Sequence, residues 1–163
     1  MHPTPPEDTV LALPPPTVSP FCTLQVELAP VMDLGLGRYG QRRIVPIVGG
    51  CVTGRVSGTI LHLGADWQSV AHDDVAELDA RYVFETPDGA LVEIVNTGYR
   101  YGPPEVMQRL ASGAPTPPES YYMRSTARLE SGHPDYRWLN RMVFVGTGAR
   151  DASSVQIDLY SVG

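Results

Sequence analysis

The feature that most limits the fold of this chain is a period of two. In Cys22-Thr23-Leu24-Gln25-Val26-Glu27-Leu28 apolar and polar residues alternate strictly until Pro30. Val75–Glu85 repeats the pattern, with Ala76, Leu78, Ala80, Tyr82 and Phe84 on one side and Glu77, Asp79, Arg81 and Glu85 on the other. Successive side chains of a strand point to opposite faces, so such segments fit half-buried β-strands and no amphipathic helix. Pro87-Asp88-Gly89 is a turn signal, and Ala90–Tyr99 returns as the hairpin partner. Ile44–Val48, Cys51–Leu63, Ser120–Glu130, Arg141–Thr147 and Val155–Val162 complete the strands. Gly54 and Gly58 are expected within one sharply bent strand, where glycine permits bending and close approach. One helix of about two turns is expected, opened by Pro103-Pro104-Glu105 and closed by Gly113.

Sixteen glycines and sixteen prolines in 163 residues favour turn-rich β structure, and 42% hydrophobic residues suffice for one packed core. The expected fold is therefore all-β: an antiparallel β-barrel of about eight strands with one short helix, spanning residues 21–163. Residues 1–20 hold seven prolines, including Pro14-Pro15-Pro16, and form a separate proline-rich arm. The arm is either a disordered tail or a segment whose Val10–Leu13 patch lies over the domain or closes its mouth.

Charge and motif content exclude several classes of function. All twelve basic residues are arginine, against 18 acidic ones, for a net charge of -6. Without lysine there is no Schiff-base or P-loop chemistry, and without a basic stripe nucleic acid is not an expected partner. No apolar run approaches membrane-helix length, and the N-terminus lacks the pattern of a secretory signal, so the expected location is cytoplasmic. Cys22 and Cys51 read as reduced, buried thiols with no disulfide between them. Gly35-Leu36-Gly37-Arg38-Tyr39-Gly40 matches a dinucleotide fingerprint in letters, but the strand-like Ile44–Val48 follows where a helix is required, so it reads as a glycine-rich turn. His2, His62, His72 and His133 show no ligand spacing, so neither a metal nor another cofactor is expected.

Four segments carry a family resemblance. They are Arg42–Gly50 with Gly54 and Gly58; Leu63-Gly64-Ala65-Asp66-Trp67-Gln68 with Leu78–Tyr82 and the Asp88-Gly89-Ala90 turn; Tyr122–Glu130; and Tyr136–Arg141 running into Phe144-Val145-Gly146. Their order and spacing resemble the domain-of-unknown-function family 3237 over about residues 21–162. Ala127 departs from that pattern, where proline is frequent, and so does the long arm. The resemblance implies a small antiparallel barrel similar to calycin or lipocalin-like ligand binders, and supplies no reaction.

The polar residues give the candidate site. The period places Tyr122, Arg124, Thr126, Arg128 and Glu130 on one face of a strand, and Asp79 with Arg81 on another. If those faces point inward, Asp79 is the catalytic base and Arg124 the anion-binding catalytic group. Trp67, Arg81, Tyr99, Tyr122, Arg128, Trp138 and Asn140 then contact substrate, with Arg128 paired to Glu130. Trp138 is expected to be mostly buried, and Asn140 to bond a neighbouring backbone. Alternation alone leaves open which face is internal; the other choice makes these side chains solvated. The function expected first is a cofactor-independent isomerase, cyclase or lyase acting on a carbonyl-bearing, polyketide or aromatic metabolite in the barrel. The alternatives are a non-catalytic carrier with the same pocket and a scaffolding protein. Apart from a small-molecule ligand, the one other expected partner is a second copy of the chain, as a homodimer; no membrane is expected.

Overall fold

The computed structural model describes residues 10–163; the first nine residues of the arm, with His2, lie outside the described residues. Nine strands follow one another: β1 (Val18–Leu28), β2 (Met32–Gly37), β3 (Gly40–Gly54), β4 (Gly58–Val70), β5 (Ala76–Glu85), β6 (Leu91–Tyr101), β7 (Tyr122–Glu130), β8 (Val143–Arg150) and β9 (Ser154–Val162). All neighbouring pairs are antiparallel, and β1 pairs with both β9 and β3. Eight strands, β1 and β3 to β9, thus close into a barrel, while β2 lies outside on β3. The single α-helix among the described residues, α1 (Pro104–Ala111), connects β6 to β7. No helix among the described residues is long and apolar enough to cross a membrane.

Closure depends on β3. Its first half pairs with β4 through Gln41–Pro46, and its second half turns to β1 through Ile47–Gly54. The ladder breaks between Pro46 and Cys51, where proline cannot donate a bond. At this corner Gly50 has φ +125°, and a Cβ on it would lie 2.0 Å from the Gln25 carbonyl oxygen on β1. Only a residue without a side chain lets the two strands meet there. Gly54 and Gly58 have a different place from the one expected: they end β3 and begin β4, flanking the turn. The three residues between them reverse the chain, since Cys51 and Val52 pair antiparallel with Thr59 and Gly58, so the two glycines fall on different strands. The Gly35–Gly40 stretch is the β2–β3 hairpin, and Pro87–Gly89 forms the β5–β6 turn, with Gly89 at φ +83°.

The apolar face of each strand points inward. Leu24, Ile60, Phe84, Ile94, Leu129, Phe144 and Leu159 are fully buried. At the end of the barrel where β6 begins and β7 finishes, a 3-10 turn (Arg137–Arg141) inserts Leu139, which is also fully buried. Trp138 beside it is only half-buried: it meets Phe21 edge-on at 6.0 Å, and its Nε1 donates to Asp135 O at 2.9 Å. The smaller Leu139 takes the core position expected for Trp138, because the tight 3-10 turn aims only one of the two inward. Asn140 does bond a neighbouring backbone, accepting from Ser131 N at 2.8 Å and donating to Ser131 O at 3.0 Å. The other end of the barrel is not apolar. It lies under α1, which contributes buried Leu110 and the packing of Val106 and Met107.

A candidate anion site at the barrel mouth

Arg43, Arg100 and Arg150 stand on β3, β6 and β8 at inward-facing positions of that polar end. Each is in phase with core residues of its own strand: Arg43 with Val45 and Ile47, Arg100 with Val92 and Ile94, and Arg150 with Phe144. The barrel's wall therefore holds three guanidinium groups where strand period demands apolar side chains. Together they line a mouth cavity of about 790 Å³ whose other wall is Met107, Leu110 and Ala111 of α1. Arg100 and Arg150 also line the enclosed space below it, of about 50 Å³, with Asp66, Gln68, Asn96 and Tyr82. That lower space is well short of the roughly 300 Å³ of a small-molecule pocket, so the mouth is the part with room for a ligand.

Asp33, Asp73 and Asp74 line the mouth with the three arginines, and one carboxylate, Asp66, lies in the enclosed space below beside Arg100 and Arg150. Asp66 Oδ2 accepts from Gln68 Nε2 at 2.7 Å, and its Oδ1 accepts from the backbone N–H of Asp79 at 2.9 Å. Gln68 in turn accepts from Arg43 Nη2 at 3.0 Å, so an amide links guanidinium to carboxylate. Burial holds the Asp66 carboxyl above its ordinary value despite these hydrogen bonds and the Arg100 charge. Burial pushes Arg100 down to about 10, with the Arg150 and Arg43 charges acting in the same direction. Arg150 is lowered for the same first reason, with Arg43 next. Among the described residues neither the Arg100 nor the Arg150 guanidinium donates to a protein acceptor, and Arg43 Nε and Asn96 Oδ1 are buried without a partner. Guanidinium donors left without a protein partner at a cavity wall are suited to bind an oxyanion. Tyr121 stiffens the rim, its hydroxyl accepting from Arg150 N at 2.8 Å.

The residues expected to form the site lie elsewhere. Leu78, Met123 and Ala127 are buried, so Asp79, Arg81, Arg124 and Arg128 project from the outer wall. The alternation offered two faces, and burial of the apolar one decided between them. Arg81 Nε meets Asp79 Oδ1 at 3.8 Å, with the two side chains 63% and 48% exposed. Arg128 forms no ion pair with Glu130 among the described residues. Trp67, Asp79, Tyr99, Tyr122 and Arg124 do converge, but on an open outer groove of about 900 Å³. Arg124 lies over the Tyr122 ring at 5.5 Å, and Tyr122 stacks on Tyr101 at 4.8 Å. Trp138 and Asn140 are at the opposite end from the mouth. Among the described residues no three His, Cys, Asp or Glu side chains gather as metal ligands would. Both cysteines are free, and burial pushes the Cys22 thiol up to about 12.

Residues 16–162 match the family described as "Protein of unknown function (DUF3237)". A UPF0311 protein of Bradyrhizobium diazoefficiens is 44% identical over 140 residues, covering 86% of this chain and 92% of that protein. The crystal structure of a conserved protein of unknown function from Rhodopseudomonas palustris superposes with a TM-score of 0.87 at 40% identity, over 93% of this chain and 100% of the other. A β-barrel-like protein from Acinetobacter baumannii gives 0.81 at 41% identity, over 93% and 99%. An enzyme from Penicillium herquei shares the fold alone, with a TM-score of 0.71 at 15% identity over 94% of this chain and 99% of that one.

Proposed function

This chain belongs to the DUF3237 family, and from the arginine-lined mouth of its barrel we propose that it is a cofactor-independent enzyme acting on a small carbonyl compound that carries or develops an oxyanion. One observation carries the reading: three inward guanidinium groups share the barrel mouth, and among the described residues two of them, Arg100 and Arg150, have no protein acceptor. Arg100 and Arg150 hold the substrate's carboxylate or enolate oxygen, where low local dielectric makes their charge most effective. Asp66, which lines the enclosed space beneath the mouth beside Arg100 and Arg150, is the proton carrier. In its ionised form it takes a proton from the carbon beside the carbonyl, the C–H electron pair becomes the enolate, and the negative oxygen sits against the arginines. Returning that proton to another carbon or to oxygen completes an isomerisation with atoms and charge balanced. Met107 and Leu110 wall the apolar part of the substrate. A carrier without chemistry is the second reading, favoured by the fact that both Asp66 oxygens already accept hydrogen bonds.

The test is hydrogen exchange into 2-oxo and 3-oxo acids in D2O, followed by proton NMR, beside thermal shift with the same compounds. Asp66→Asn is expected to slow exchange by about 10²-fold or more, the usual loss of a general base, while ligand-induced thermal shift persists. Arg100→Met should abolish the thermal shift itself. Exchange should rise with pH as Asp66 ionises and then level. A thermal shift with no exchange above the buffer rate supports the carrier; exchange unchanged in Asp66→Asn overturns its role as base, and no shift with any oxo acid overturns the site.

A further inference from the structure

The outer groove has no part in that site, yet it is the most aromatic exposed surface of the barrel. Tyr99 is 53% exposed, Trp67 42% and Tyr122 41%. Val18, the first residue of β1, lies on the groove's edge and is itself exposed. Immediately before it comes the described part of the arm. Val10, Leu11 and Leu13 are each at least three-quarters exposed, and all of residues 10–17 are exposed without regular secondary structure.

In the structure the arm leaves its own groove uncovered. Thr17 N donates to Gly163 O at 2.8 Å and Gly163 N to Thr17 O at 2.9 Å, which continues the β1–β9 ladder and fixes the direction of exit. Pro14-Pro15-Pro16 comes next upstream. Each proline fixes φ and keeps the residue before it out of the helical region, so this stretch is a stiff spacer of roughly 9 Å rather than a reversal. It carries the Val10–Leu13 patch clear of the barrel. Proline-rich segments with apolar neighbours dock on grooves lined by tyrosine and tryptophan, because a pre-extended backbone loses little entropy on binding. Here the groove and the segment that fits it are on one chain, and the root of the segment is the rim of the groove.

We infer that the groove around Trp67, Tyr99 and Tyr122 receives the Val10–Pro16 arm of a second copy, giving a two-fold dimer with exchanged arms. With Val18 of both copies near the symmetry axis, each arm lies along the other barrel's groove, and one interface repeats itself. The deeply buried mouth site is left unchanged in each copy.

Sedimentation velocity of the full chain across a concentration series tests this, with circular dichroism to check folding. The full chain should sediment at twice the 17.7 kDa mass of one chain. Removal of residues 1–16, Leu11→Glu with Leu13→Glu, and Tyr99→Asp should each give the single-chain mass. Leu11, Leu13 and Tyr99 are exposed, and the strands begin at Val18, so these variants should keep the strand spectrum. A peptide of residues 8–17 added to the arm-deleted chain should shift Trp fluorescence, and Trp67→Phe should remove the shift. A monomeric full chain overturns the inference, as does a dimer that survives arm deletion or Tyr99→Asp. So does a peptide without effect on the fluorescence.

Discussion

Arg100 sits in phase with Val92, Ile94 and Asn96 on β6, at a position where strand period asks for an apolar side chain. Arg43 and Arg150 break phase in the same way on β3 and β8. This was the signal available in the sequence for the mouth site: a charge on the apolar side of an alternation. Asp79 and Arg124 are polar residues on polar faces, which is what solvated strands contain. Asp66 gives a prediction at this scale. Its carboxyl is held above its ordinary value chiefly by burial, so the folded state keeps that proton more tightly than the unfolded chain. The stability this contributes is full below the ordinary value of 3.8 and is lost as pH rises through the folded-state value. Asp66→Asn should therefore flatten the melting temperature against pH above 3.8, measured by calorimetry. The opposite dependence, a variant that loses stability more steeply with rising pH, would contradict the assignment of burial as the main cause.

At the scale of elements, β5 (Ala76–Glu85), β6 and β7 were legible because their alternation is unbroken and their turns carry proline and glycine. The long β3 was not, since its register changes between Pro46 and Cys51 as it passes from β4 to β1. A period of two carries no information on which neighbour a strand will pair with. Strand β1 begins at Val18, inside the segment read as the arm, because pairing with Val162, Ser161 and Tyr160 of β9 overrides local composition. The corner at Gly50 is the element on which closure turns. Gly50→Ala places a Cβ against the Gln25 carbonyl and forces an unfavourable φ, so a loss of about 3 kcal/mol or more is expected in urea unfolding. The same substitution at Gly132, which has open space and no positive φ, should be nearly silent.

For the whole molecule, barrel closure joins β1 to β3 and the first strand to the last, the latter by pairings that bridge most of the chain. Such contacts are formed late and leave no free edge among the eight barrel strands once made. A chain ending at Asp151 lacks β9 and exposes the edges of both β1 and β8. It should lose its cooperative thermal transition and scatter light on warming, whereas the full chain melts in one step. A soluble, cooperatively folded truncation would show that β9 is dispensable to the barrel. The mouth belongs to this scale as well. Its three arginines are 50 to 107 residues apart in sequence, by their numbers, and meet only because β3, β6 and β8 curve round one axis.

The amino-acid sequence determined by itself that this chain is all-β, where most of its strands run, that one short helix follows β6, and which family's motifs it carries. These are local properties: side-chain period, the fixed φ of proline, and the freedom of glycine. Only the tertiary structure decided which face of each strand is internal, and with it which polar residues share a cavity. The reason is that alternation is symmetric between its two faces until closure removes one of them from water. Closure buried the apolar face, put Asp79 and Arg124 outside, and left Arg43, Arg100 and Arg150, the residues out of pattern, gathered around Asp66 within.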